Sequence, residues 1–137
     1  MNTQLSSGPA IGDVLPELEI GEITRTTLAL FAGASGDHNP IHIDLDVARS
    51  AGLDDVFAHG MLSMAYLGRL LTCWVPVDRI RTYAVRFAAI TPLHAEPTCR
   101  ATVVSVDPEG NTATLDLSVS LPDGTVTLTG SAVVALI

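Results

Sequence analysis

The longest apolar run, Gly60 to Trp74, carries polar residues only at Ser63, Arg69 and Thr72. Its length and the stop at Val75-Pro76 predict a single helix. A helix that is apolar on all sides must be wrapped by other elements. After Arg79 the period changes to two. Tyr83, Val85, Phe87 and Ala89 alternate with Ala84, Arg86 and Ala88. A second strand is expected over 98–106, before the turn signal Asp107-Pro-Glu-Gly-Asn111. A third puts Leu115, Leu117, Val119 and Leu121 on one face and ends at Pro122-Asp-Gly124; a fourth spans 125–137. Turn signals at this interval predict an antiparallel meander.

Upstream, Leu18 and Ile20 alternate with Glu17, Glu19 and Glu22, which predicts a strand over 14–23. Thr26 or Thr27 is a candidate cap for a short helix carrying Leu28, Leu30 and Phe31. A turn-rich loop follows over 36–44, where Pro40 forces Asn39 into an extended conformation. Asp44 or Asp46 then caps a helical turn that Gly52 ends. The fold class is α+β: one long apolar helix wrapped by a curved antiparallel sheet.

At 137 residues the chain is expected to be one domain over 10–137, preceded by a flexible leader over 1–9. The leader has neither the basic start nor the apolar core of a signal peptide. No apolar run reaches the roughly 20 residues of a membrane helix. Hydrophobic residues make up 47% and charged residues 16%, which is apolar enough to expect surface buried between subunits. The net charge is −8 and all seven basic residues are arginine, which argues against a nucleic-acid or anionic-membrane binder. An anionic ligand would need a local arginine patch, and Arg79, Arg81 and Arg86 are candidates. Cys73 and Cys99 share no metal or redox spacing; they are expected as buried reduced thiols in a cytoplasmic protein.

The candidate chemistry lies in the loop and at the helix start. Asp37 and His42 are five residues apart, about 17 Å if extended, and meet only if the loop folds back. Gly36, Asn39 and Pro40 are residues that make it fold back. A carboxylate, an amide and an imidazole there suit acid–base work. In the alternative, Asp37 satisfies loop amides and His42 simply packs. At His59-Gly60 a helix N-terminus offers unpaired amides and partial positive charge, which can stabilise an oxyanion. The alternative there is a tight entry into the helix. His38, His42 and His59 are candidate metal ligands by residue type, but Pro40 argues against the helix that the His38/His42 spacing needs, and no metal is expected.

The segment Ser35-Gly-Asp-His-Asn-Pro-Ile-His42, followed by Ala58-His-Gly-Met61, resembles the hydratase motif of the MaoC-like, (R)-specific enoyl-CoA hydratases. The similarity runs from about Gly12 onwards and includes Val85-Arg86-Phe87. Among these relatives it is similar to the catalytic subunits of mycobacterial type II (3R)-hydroxyacyl-ACP dehydratases. The resemblance implies a hot-dog fold and a dimer with sheets joined edge to edge, as a homodimer or a heterodimer. It assigns Asp37 and His42 to the catalytic pair, Asn39 to a polar position of the site, and Gly60 to the amide that polarises the thioester carbonyl. It also implies an acyl tunnel, walled in this chain by Leu62, Met64, Phe87 and Trp74, with Arg86 available to the carrier. The implied reaction is hydration of a trans-2-enoyl thioester, with coenzyme A preferred over acyl carrier protein. No metal or redox cofactor is implied, because the carrier is part of the substrate. The rivals are a thioesterase and a non-catalytic acyl-thioester-binding subunit.

Overall fold

A computed structural model describes residues 8–136, so most of the expected leader lies outside the described residues. The chain forms β1 (Leu18–Glu19), α1 (Arg25–Ser35), α2 (Leu45–Ser50), α3 (Gly60–Trp74), β2 (Ile80–Phe87), β3 (Thr98–Asp107), β4 (Thr112–Ser120) and β5 (Val126–Ala135). Helix α3 keeps the bounds that its apolar run predicts. Val75 is extended (φ −130°, ψ 153°), as the residue before a proline should be.

The five strands form one antiparallel sheet in the order β1-β3-β4-β5-β2. Strands β3, β4 and β5 are the expected meander. Strand β2 corrects that expectation: it pairs with β5 at the far edge, not with β3. Residues 88–97 carry the chain back across. Ala88 and Ala89 both donate to the Thr127 carbonyl, so the strand ends at Phe87 and does not include Ala89.

Alternate residues of β3, β4 and β5 are buried against α3. Leu67, Leu70 and Leu71 pack with Val103, Leu115, Val119 and Val134. Each fully buried aliphatic side chain contributes about 1.5–3 kcal/mol. On its other side α3 carries a smaller cluster of Leu62 with Ile23, Leu28, Ala48, Val56 and Leu93. A long helix held against an antiparallel sheet is the hot-dog architecture. The wrapping is incomplete, because Met61, Ala65, Arg69, Thr72 and Cys73 face outwards. Cys73 is therefore exposed rather than buried, while Cys99 is buried; neither is in a disulfide.

Two upstream expectations are corrected. The strand over 14–23 shrinks to Leu18–Glu19, paired with Cys99 and Thr98, plus a bridge from Val14 to Thr102. Pro16 has no N–H for a ladder, and Gly21 turns away at φ +77°. The cap of α1 is Thr24, not Thr26 or Thr27. Thr24 accepts from the Thr27 amide and Thr27 answers at the Thr24 amide, a reciprocal capping box. Asp44 caps α2, as expected. Among the described residues no helix is long and apolar enough to cross a membrane.

Candidate active site

The loop after α1 is shaped by short polar side chains, each bonding an amide two residues further on. Gly36 ends the helix in the left-handed region (φ +77°), where glycine has no steric penalty. Ser35 Oγ accepts from the Asp37 amide (3.1 Å), Asp37 Oδ1 from the Asn39 amide (3.2 Å), and Asn39 Oδ1 from the Ile41 amide (3.2 Å). The last bond caps a 3-10 turn, Pro40–His42, with Pro40 at its first position. This winding brings His42 back beside Asp37. Asp37 does bond a loop amide, as the plain alternative held, but with one oxygen of two.

The segment before α3 forms the facing wall. It is pinned to the crossing loop by a bridge from Phe57 to Pro92 and by the bond from the Ala58 amide to the Thr91 carbonyl (2.9 Å). His42 reaches it, with Nδ1 2.8 Å from the Phe57 carbonyl oxygen. A carbonyl only accepts, so Nδ1 carries the proton and Nε2 is the nitrogen left to exchange one. His42 is nearly buried, at 8% exposure. Its ring meets Phe57 edge-on (4.8 Å, 77°) and stacks on His59 (4.0 Å, 29°).

The sequence places His59 at the helix start, beside the candidate oxyanion amide, and among the candidate metal ligands. It is 1% exposed, and its Nε2 lies 3.2 Å from the Asp37 carbonyl oxygen, to which it donates. Phe31 meets its ring edge-on at 4.9 Å. Its Nδ1 is buried without a hydrogen-bond partner among the described residues. Leaving such an acceptor unpaired costs about 1–3 kcal/mol. Burial, and then the neighbouring His42, lower its pKa, so it stays neutral beside the pair.

Ligand-type atoms of Asp37, His42 and His59 all lie within 4.8 Å of one another. Among the described residues these are the ones placed to hold a metal; His38 is not among them. The stacking argues against an ion, because nitrogen lone pairs lie in the ring planes and two near-parallel rings do not aim them at one point.

Gly60 opens α3, and His59 makes no side-chain cap, so the first amides of the helix stay available. Gly60 lines a cavity of about 310 Å³ with Phe57, Ala58, Phe87, Ala88, Ala89, Ile90, Thr91 and Leu128. Of the five expected substrate contacts, Phe87 lies on this cavity. Leu62 is instead 5% exposed in the smaller core cluster, while Met64 and Trp74 pack against the main core. These three fail as walls of this cavity because α3 turns them towards the core. Arg86 is exposed and is not among the lining residues. Arg79 donates to the Leu136 carbonyl and Arg81 to the Asp78 carbonyl, so the expected arginine patch is partly spent on backbone. The sequence missed the crossing-loop residues Ala88 to Thr91, of which Ala88 and Ala89 continue the strand pattern.

Comparison with known proteins fits this arrangement. Residues 10–120 match the family described as MaoC like domain. This chain belongs to the MaoC-like family. It is 32% identical over 129 residues to 3-hydroxyacyl-thioester dehydratase Z of Mycobacterium tuberculosis, which spans 90% of this chain and 83% of that one. It is 29% identical over 114 residues to an (R)-specific enoyl-CoA hydratase of Rhodospirillum rubrum, covering 82% and 78%. A solved structure of an (R)-hydratase from A. caviae involved in PHA biosynthesis matches with a TM-score of 0.86 and 25% identity, over 96% of this chain and all of that one. In this MaoC-like chain the matched residues include the Asp37–His42 loop and the start of α3.

Proposed function

We propose that this MaoC-like protein is a hydro-lyase that adds water reversibly across a trans-2-enoyl thioester, giving a (3R)-3-hydroxyacyl thioester carried on coenzyme A. One observation carries the reading: Asp37 and His42 converge, and His42 is bonded to Phe57, which lines a cavity together with the uncapped N-terminal Gly60.

Water sits between Asp37 and His42. As its oxygen bonds to Cβ, its proton passes to the Asp37 carboxylate, and His42, entering protonated, gives the Nε2 proton to Cα. A proton returned from Asp37 to His42 resets the pair, and the same steps reversed give dehydration. Both groups stand on one loop, so both additions come from one face. Acid–base help of this kind supplies about 10²–10⁴-fold. The Gly60 N–H meets the thioester oxygen as enolate charge develops, which supplies about 10²–10³-fold. Asn39 acts through the turn that it caps. Phe87 covers the acyl side. The chemistry asks for no metal or redox cofactor.

The carrier assignment rests on charge. A chain at −8 repels an acidic carrier protein, whereas a small nucleotide needs one or two arginines, and Arg86, on the face of β2 opposite Phe87, is exposed. The free edge of β2, eight residues long, supports a dimer joined through that strand. Unpaired thiols support a cytoplasmic location.

The test is loss of the conjugated thioester absorbance of crotonyl-CoA and a longer trans-2-enoyl-CoA, with Asp37→Asn alongside. Turnover by the wild type is expected, reduced about 10²–10⁴-fold in Asp37→Asn with folding unchanged. Absence of turnover on both CoA substrates, with turnover on an enoyl carrier protein, reverses the carrier assignment. Equal rates for wild type and Asp37→Asn refute the acid–base reading.

A further inference from the structure

The loop bearing Asp37 and His42 holds its own shape, but that shape does not place it against the Gly60 amide. Two bonds do so, and they are reciprocal. His42 on the loop donates from Nδ1 to the Phe57 carbonyl of the facing segment (2.8 Å), and His59 on that segment donates from Nε2 back to the Asp37 carbonyl (3.2 Å). The two rings stack between these bonds at 4.0 Å. His59 is itself fixed from behind by Phe31 of α1.

We propose that His59 is a positioning residue, setting both members of the acid–base pair against the helix N-terminus through one backbone hydrogen bond and one ring face. The proposal rests on the reading of Asp37 and His42 given above. His59 is 1% exposed, behind the 8% exposed His42 and the exposed Asp37, so it acts through the pair rather than on substrate. Its buried, unpartnered Nδ1 supports the assignment. A residue selected for packing alone has no reason to keep an orphaned nitrogen in the interior, whereas an imidazole joins a flat face and an N–H donor in one rigid ring. The ring is most useful when neutral, because a charge there would oppose protonation of His42. The titratable groups facing it are Asp37 and His42, both from the loop; α1 contributes Phe31.

Two variants separate the parts. His59→Phe keeps the ring face and removes the donor; His59→Gln keeps a donor and removes the ring. Misplacing a catalytic group by about 1 Å can cost about 10²-fold. Each variant is therefore expected to lower kcat by tens-fold to about 10²-fold, with KM nearly unchanged, and thermal melts check that the protein remains folded. The second readout needs no turnover: the His42 imidazole NMR shifts at fixed pH, which report its ring contact and its Nδ1 bond to Phe57, are expected to move in both variants. A folded variant with wild-type kcat and unmoved His42 shifts overturns the proposal. So does a loss of activity that only tracks loss of folded protein. If the wild type turns over no enoyl thioester, the functional reading fails, and the His42 shifts alone then decide for or against His59.

Discussion

Gly60 admits two explanations, and a substitution there tells them apart. The glycine can be needed so that a thioester carbonyl reaches its amide, or only so that Phe87 can lie on it. An ideal Cβ built on Gly60 would sit 2.9 Å from Phe87 Cε1 and 3.0 Å from Cδ1. Carbon atoms prefer about 3.5–4.0 Å, so in Gly60→Ala the ring must retreat by roughly half an ångström to an ångström. Phe87 is 53% exposed at the end of an edge strand, so its ring can swing outwards. Overpacking costs about 1–3 kcal/mol; this contact belongs at the low end. Alanine recovers up to about 1 kcal/mol of helix preference over glycine. Gly60→Ala should therefore change unfolding stability by no more than about 1 kcal/mol in either direction. The effect on catalysis should be far larger. A methyl group on the cavity side shields the amide, and losing one oxyanion donor costs about 10²–10³ in kcat. Enoyl-CoA hydration is measured for Gly60→Ala, Phe87→Ala and the double variant, with denaturant melts in parallel. In the Phe87→Ala background the steric conflict is gone, yet Gly60→Ala should still cost about 10²-fold. If the double variant matches Phe87→Ala in kcat, glycine serves the packing of Phe87 and the amide is not the oxyanion donor.

Other outcomes follow from burial and charge. Leu71→Ala, at a fully buried contact between α3 and the sheet, should lose about 2–5 kcal/mol in denaturant unfolding; a smaller loss would mean that the core relaxes around the gap. A thiol reagent should modify Cys73 quickly in the native protein and Cys99 only on unfolding, because Cys99 is fully buried and its pKa is pushed up to about 11. Two fast thiols would contradict the core described here. His59 should also make stability depend on pH. Burial lowers its pKa in the fold, so the unfolded chain takes up the proton first, near its ordinary 6.5. Stability is thus complete above that value and declines as pH falls from 6.5 towards the lowered folded value. One proton bounds the slope at about 1.4 kcal/mol per pH unit, and His59→Phe should lack this component in pH-dependent melts.

What could be read in advance follows the range of the forces involved. Helix α3 was legible because fifteen residues with three polar members and an X-Pro stop admit little else. The acid–base loop was legible because its shape comes from bonds two residues long: Ser35 to Asp37, Asp37 to Asn39, Asn39 to Ile41. The neighbour of β2 was not, because alternation reports a strand's faces and says nothing of which edge it will join. Period-two patterning also misled at 14–23, where Pro16 and Gly21 limited the ladder to two residues. His59 was the least legible, since its partner carbonyl is 22 residues away and its stacking partner 17. A signal was nevertheless present: an imidazole directly before an apolar helix, with no side-chain cap of its own, has to place its polar atoms somewhere in the interior. Of its two nitrogens the fold satisfies one, and the bond it makes is to the backbone of Asp37. Tertiary contacts of this length, invisible to local pattern, are what turn a folded loop into an aligned pair.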